Sequence, residues 1–184
     1  MCSSDLRFTE GFNPKPRLEF AHPLSLGIES DEEIASVETD REYESVFFMD
    51  QLNNVLPDGI ELVNAVFQKI NTGDRKLSLM SLYAGSRYRI SSPLSENLRN
   101  LVEYYITENS MSELVQIENI PDSGLKENNS ENFRITVKQG QGSRGLFKIL
   151  RDATGLDNPL ADIIAVREKI FAGSDLTDYI SFFS

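Results

Sequence analysis

Apolar and polar positions alternate most regularly at Phe133-Arg134-Ile135-Thr136-Val137-Lys138, a period of two that predicts a half-buried strand. Ile34 to Thr39 alternates in the same way, and Ser86 to Ser91 interleaves Arg87 and Arg89 with Tyr88 and Ile90, so both are read as strands. Helical spacing of three and four governs Val46, Phe47, Met49, Leu52, Val55 and Leu56, which predicts a helix over 43–56 with Asp40 as its cap. Pro57-Asp58-Gly59 stops it. Leu94, Leu98, Leu101, Val102, Tyr105 and Ile106 place a second helix from Ser92-Pro93 through Glu108. A third runs from the turn at Gln139–Gly145 through Thr154 and ends on Gly155.

Five further segments complete the reading. Ile60 to Ile70, rich in Val, Ile and Phe, is expected to be a strand, and Leu77 to Tyr83 one or two helical turns. Glu113 to Ile120 is read as a strand, Ile163 to Phe171 as a strand in preference to a helix, and the polar run 121–132 as a loop or hairpin tip. Strand-helix-strand units of this kind predict an α+β fold, with ferredoxin-like units whose helices pack on a mixed, mainly antiparallel sheet.

Charge changes this picture locally. The chain carries 29 acids against 18 bases, a net charge of −11, which argues against a protein that coats nucleic acid over its whole surface. Residues 29–61 hold eleven acids and one base, Arg41, whereas the stretch from Arg134 to Arg151 has five bases and no acid. That stretch suits a localised anion site, or solvated faces. Arg144 and Lys148 lie where it enters a helix, whose free N–H groups also favour an anion. The adjacent acids Asp31, Glu32 and Glu33 are expected to be solvated on a loop.

The chemistry the chain can host by itself is limited. One cysteine, Cys2, cannot supply the three thiolates that hold a radical-enzyme iron–sulfur cluster, and one histidine, His22, rules out a His-rich zinc site. No phosphate loop, dinucleotide fingerprint or HExxH motif is present. No secretory signal is recognisable and no window approaches a membrane span, so the cytoplasm is the default compartment and no membrane contact is expected.

The segment with most character is Gly11-Phe12-Asn13-Pro14-Lys15-Pro16-Arg17, followed by Ala21 to Ser30. Glycine and two prolines fix a backbone path on which Lys15, Arg17 and His22 are held beside Phe12. Bases beside an aromatic ring can grip a phosphate and stack a nucleobase. The same segment can equally be a structural corner with Phe12 in the core.

Gly11 to Ala21 and Pro23 to Ser30 together resemble the radical SAM-linked protein family, the domain of unknown function 2344, whose segment reads GFNPHPKLSFA-x-PLPLGVES. The resemblance implies an accessory or substrate-presenting domain beside, or fused to, a radical SAM protein. That partner would carry the iron–sulfur cluster and S-adenosylmethionine, with no cofactor in this chain. Lys15 replaces the family's histidine, so an anion-binding role carries over to that position and a metal or acid–base role does not. The site expected from residues and resemblance together is Gly11, Phe12, Asn13, Pro14, Lys15, Pro16, Arg17, His22, Arg144 and Lys148, facing a protein or anionic partner. RNA linked to tRNA, rRNA or ribosome modification is the alternative occupant. The family begins earlier, with a strand and a helix, and Met1 to Leu6 departs from it. Residues 1–6 are therefore expected to be a non-native leader on a truncated chain, residues 7–171 the domain, divisible into α+β units at 7–91 and 92–171, and residues 172–184 a tail.

Overall fold

A computed structural model describes residues 5–69, 78–92, 97–120, 131–179 and 181. Its strands are β1 (Leu18–Phe20), β2 (Glu29–Ser30), β3 (Ala35–Val37), β4 (Tyr83–Ser92), β5 (Val115–Asn119), β6 (Glu131–Lys138), β7 (Ile164–Ala172) and β8 (Thr177–Asp178). Its helices are α1 (Ser45–Asn53), α2 (Leu79–Leu82), α3 (Leu98–Glu108) and α4 (Leu146–Thr154), with a short 3-10 turn at Pro159–Ala161.

Six strands form the main sheet in the order β2-β7-β4-β6-β5, with β8 hydrogen-bonded to β7. Only β2 runs parallel to its neighbour. The fold is α+β, and β4-α3-β5-β6-α4-β7 is a ferredoxin-like unit with its two helices packed together on one face. The core follows from the two periodicities. Phe133, Ile135 and Val137 of β6 and Ile90 of β4 meet Leu98, Val102 and Ile106 of α3 and Leu146, Ile149 and Leu150 of α4. Gly155, at φ +73°, ends α4 as its sequence position predicts.

A second, smaller cluster joins the N-terminal segment to this body. Ala21, Leu79, Ile170, Ala172 and Tyr179 pack together, and the Tyr179 hydroxyl donates to the Leu79 carbonyl at 2.8 Å. Part of the anticipated tail thus belongs to the body, through β8 and Tyr179. β4 pairs with both β6 and β7, so the sheet runs straight across the anticipated division at 91/92. At the other end, Asp5 and Leu6 of the expected leader are built in: Leu6 bridges to Thr39 and the Asp5 carbonyl accepts from the Asp40 N–H at 3.0 Å. Residues 1–4 lie outside the described residues.

Three local expectations need correction. Asp40 does not cap α1. Its carboxylate pairs with Arg7 at 2.8 Å, and Glu44 caps instead, accepting from the Phe47 N–H at 3.0 Å. Residues 60–69 form no strand, and Ile70 lies outside the described residues. Leu77 and the Pro93 opening of α3 also lie outside them, as does most of the 121–132 loop, whose last two residues begin β6.

Candidate functional site

Residues 7–17 fold back on themselves. The Thr9 N–H donates to the Lys15 carbonyl at 2.8 Å, the Lys15 N–H to Thr9 Oγ1 at 3.0 Å, and Phe8 bridges to Pro16. Gly11 turns the tip at φ +132°, a conformation open to glycine at little cost. The result carries Phe12 at its apex with the ring fully exposed, beside Asn13, Pro14, Lys15 and Pro16, all exposed. The sequence left Phe12 between a core position and a stacking surface; it is not in the core. Of the charges in this hairpin, Arg7 and Arg17 are paired, while Glu10 and Lys15 are engaged in no ion pair among the described residues.

Arg17 serves the hairpin itself. Its Nε donates to the Phe8 carbonyl at 3.2 Å and its Nη1 to Glu38 at 3.1 Å, bracing the hairpin against the residue that follows β3. His22 is turned inward. Its ring stacks on Tyr83 with centroids 4.2 Å apart, its carbonyl accepts from Arg167, and its Nδ1 is buried without a partner among the described residues. Burial, and then the Arg167 charge, lowers its pKa and keeps the ring neutral. Burial also pushes Tyr83 up to about 12.

Arg144 and Lys148 engage different residues altogether. Arg144 donates to the Tyr105 hydroxyl and lies 3.7 Å from Asp152, while Lys148 lies 3.2 Å and Arg151 3.1 Å from the same carboxylate. Burial opposes charge on Asp152, yet the bonds from Lys148, Arg151 and Tyr105 outweigh it and lower its pKa. Arg134 and Arg89 likewise converge on Glu168, at 2.7 and 2.9 Å. The acid-free run of sequence is therefore largely neutralised in space, because its partners come from the end of α4 and from β7. The structure gathers Gly11 to Pro16 in one place and shares no partner between them and Arg144 or Lys148.

Sequence reasoning missed a buried tie. Arg167 of β7 is fully buried and bonded to Glu33 and to the His22 carbonyl, with Nη1 unpartnered among the described residues. Glu32 accepts from Lys169 at 2.9 Å and from the Ile170 N–H at 3.1 Å, and Asp31 lies 3.5 Å from Arg89. The three acids expected to be solvated instead fasten their loop to the sheet. The available signal was the charged run Arg167-Glu168-Lys169 inside an otherwise apolar strand, IAVREKIFA, where a cation that becomes buried requires a partner.

The second half of the motif lines an open cleft of about 500 Å³ formed by Ser25, Leu26, Gly27, Phe147, Asn158 and Leu160. Leu26 stands 98% exposed at this cleft. Gly27, at φ +85°, lies against Leu160, where a Cβ would meet Cδ1 at 3.3 Å. No group of His, Cys, Asp and Glu among the described residues could hold a metal ion, and none of their helices is long and apolar enough to cross a membrane.

Fold and site together define an α+β domain that presents a fixed aromatic tip beside a ferredoxin-like body. Residues 3–154 match the family described as an uncharacterised protein conserved in bacteria, the domain of unknown function 2344, and the chain belongs to that family. The match takes in the tip and the unit from β4 through α4. No curated protein and no solved structure matches the chain.

Proposed function

We propose that this chain is an accessory or substrate-presenting domain that docks onto a radical SAM protein through the hairpin tip at residues 11–16. The observation that carries the reading is Phe12. A phenyl ring held wholly in water on a braced hairpin contributes nothing to the core, whereas aromatic side chains burying themselves in a partner's pocket dominate protein interfaces. Pre-ordering of the tip by Gly11, the prolines and Arg17 lowers the ordering cost of binding. That the partner is a radical SAM protein rests on the family motif that forms this tip. In this reading the iron–sulfur cluster and S-adenosylmethionine belong to the partner, which carries out the chemistry.

RNA as the occupant keeps the support of Phe12 and Lys15, an aromatic and a base side by side. It loses that of Arg144 and Lys148, which are held on Asp152, and the net charge of −11 opposes it. The test is binding of the purified chain to a radical SAM protein encoded beside it, with Phe12→Ser as the variant and a single-stranded RNA as the competing ligand. Partner binding lost in Phe12→Ser supports the reading. RNA binding of the wild type without partner binding overturns it.

A further inference from the structure

The cleft beside the second half of the motif has no part in the docking of the tip. One wall is the turn at 25–28. The Ile28 N–H donates to the Ser25 carbonyl at 3.2 Å, Gly27 takes φ +85°, and Ile28 is buried in the main core. Leu26, at the corner of this turn, is thereby held outside the core with its side chain in water. Phe147 of α4 and Leu160 of the 3-10 turn complete the apolar lining. The cleft lies at the start of β7, into which the 3-10 turn leads. Ala21 and Tyr179, beyond which the chain leads to its two ends, pack instead on Ile170 and Ala172, about 20 Å further along that strand.

Shape, hydrogen bonding and charge decide what fits. The cleft is open, so a small molecule would keep much of its surface in water, whereas small-molecule sites bury most of their ligand. A side chain offered by a larger molecule is covered from behind. Ser25 and Asn158 add a hydroxyl and an amide to the lining, and neither side chain is hydrogen-bonded among the described residues, so both can meet a peptide backbone. Segments 23–30 and 155–166, which supply most of the lining, carry Glu29, Asp157 and Asp162 and no base. All three acids are exposed and none is in an ion pair among the described residues. Lys148 and Arg151 of α4 are held on Asp152.

We infer that this cleft binds a basic segment of another protein, seating one leucine-sized side chain against Leu26, Phe147 and Leu160. Lysines or arginines on either side of that residue meet Glu29, Asp157 and Asp162 at the rim. The apolar contact supplies most of the affinity, and the charges select which segment enters. This assignment rests on the substrate-presenting reading only in calling that segment the substrate: the tip engages the enzyme, and the cleft holds what is brought to it.

The test titrates the full chain with a short synthetic peptide that sets one leucine between two pairs of lysines, and follows backbone amide shifts residue by residue. Shifts are expected to centre on 25–27, Phe147 and 158–160. Serine in place of the peptide's leucine should weaken binding about tenfold or more. Glutamates in place of its lysines should weaken it at least as much. In the protein, Asp157→Asn with Asp162→Asn should weaken binding about threefold or more and flatten its dependence on salt, while leaving the melting temperature unchanged. Shifts spread over the acidic surface, binding indifferent to the leucine, or no binding overturns the inference. Equal binding of leucine amide also overturns it, because the site would then take a small molecule. If the peptide fails while Phe12→Ser still weakens partner capture, only the cleft is lost. If the peptide seats in the cleft while Phe12→Ser leaves partner capture unchanged, only the tip reading falls.

Discussion

Arg167 lies fully buried in β7 and its Nε donates to Glu33 at 3.1 Å, 134 positions earlier in the chain. The two partners are not equivalent, because the Glu33 side chain keeps 34% of its surface in water while the guanidinium keeps none. Glu33→Gln leaves a buried cation without its counter-charge and should cost about 3 kcal/mol. Arg167→Met fills the same space with an apolar chain and frees Glu33 to hydrate, so it should cost about 1 kcal/mol or less. Urea unfolding of the two variants checks this order; equal losses would show that the pair is not what fastens the acidic loop.

Gly85 offers a sharper packing test. At φ +157° it crosses β4 beside β6, and a Cβ there would lie 2.6 Å from the Val137 carbonyl oxygen and 3.0 Å from Lys138 Cα. Backbone atoms cannot yield as a side-chain tip can, so Gly85→Ala should cost about 3 kcal/mol. Gly142, at φ +83°, has open space around it, and Gly142→Ala should cost about 1 kcal/mol from backbone strain alone. Denaturation midpoints of the two variants are the measurement, and a Gly142→Ala loss equal to that of Gly85→Ala would contradict the account.

Acid should weaken the fold through His22. Its folded pKa is lowered from 6.5 by burial and by the neighbouring Arg167 charge, so below 6.5 the unfolded chain takes up a proton that the folded ring refuses. Stability from this group is present above 6.5 and is lost as the pH falls through the window down to the lower folded value. His22→Phe keeps a ring to stack on Tyr83 and removes the titration. Melting temperatures at about pH 7.5 and pH 5.5 should therefore differ less in His22→Phe than in the wild type. Equal differences would show that His22 is not held neutral.

Much of the body was legible because short-range pattern and long-range packing agree there. β6, α3, α4 and its Gly155 end were read from period and punctuation, whereas β7, with three charges in its middle, fitted a strand or a helix until its pairing with β4 decided it. The site was legible only at the tip, where Gly11, Pro14 and Pro16 dictate the path locally. Arg17, Arg144 and Lys148 are cations, and His22 a buried neutral ring, whose roles are set by Glu38, Asp152 and Arg167, partners that no spacing along the chain announces. The same holds for 60–69, a strand by composition that finds no second strand among the described residues. Sequence fixes a strand's propensity, but only a neighbour completes its hydrogen bonds.

The most direct measurement is calorimetric titration of the chain, wild type and Phe12→Ser, into a radical SAM protein of the class proposed as its partner. Phe12 touches no core, so the two forms should melt at the same temperature. The docking account predicts wild-type binding that Phe12→Ser weakens by about thirtyfold, the loss of about 2 kcal/mol typical of an aromatic anchor. Wild-type binding that Phe12→Ser leaves unchanged, or no wild-type binding at all, would contradict it.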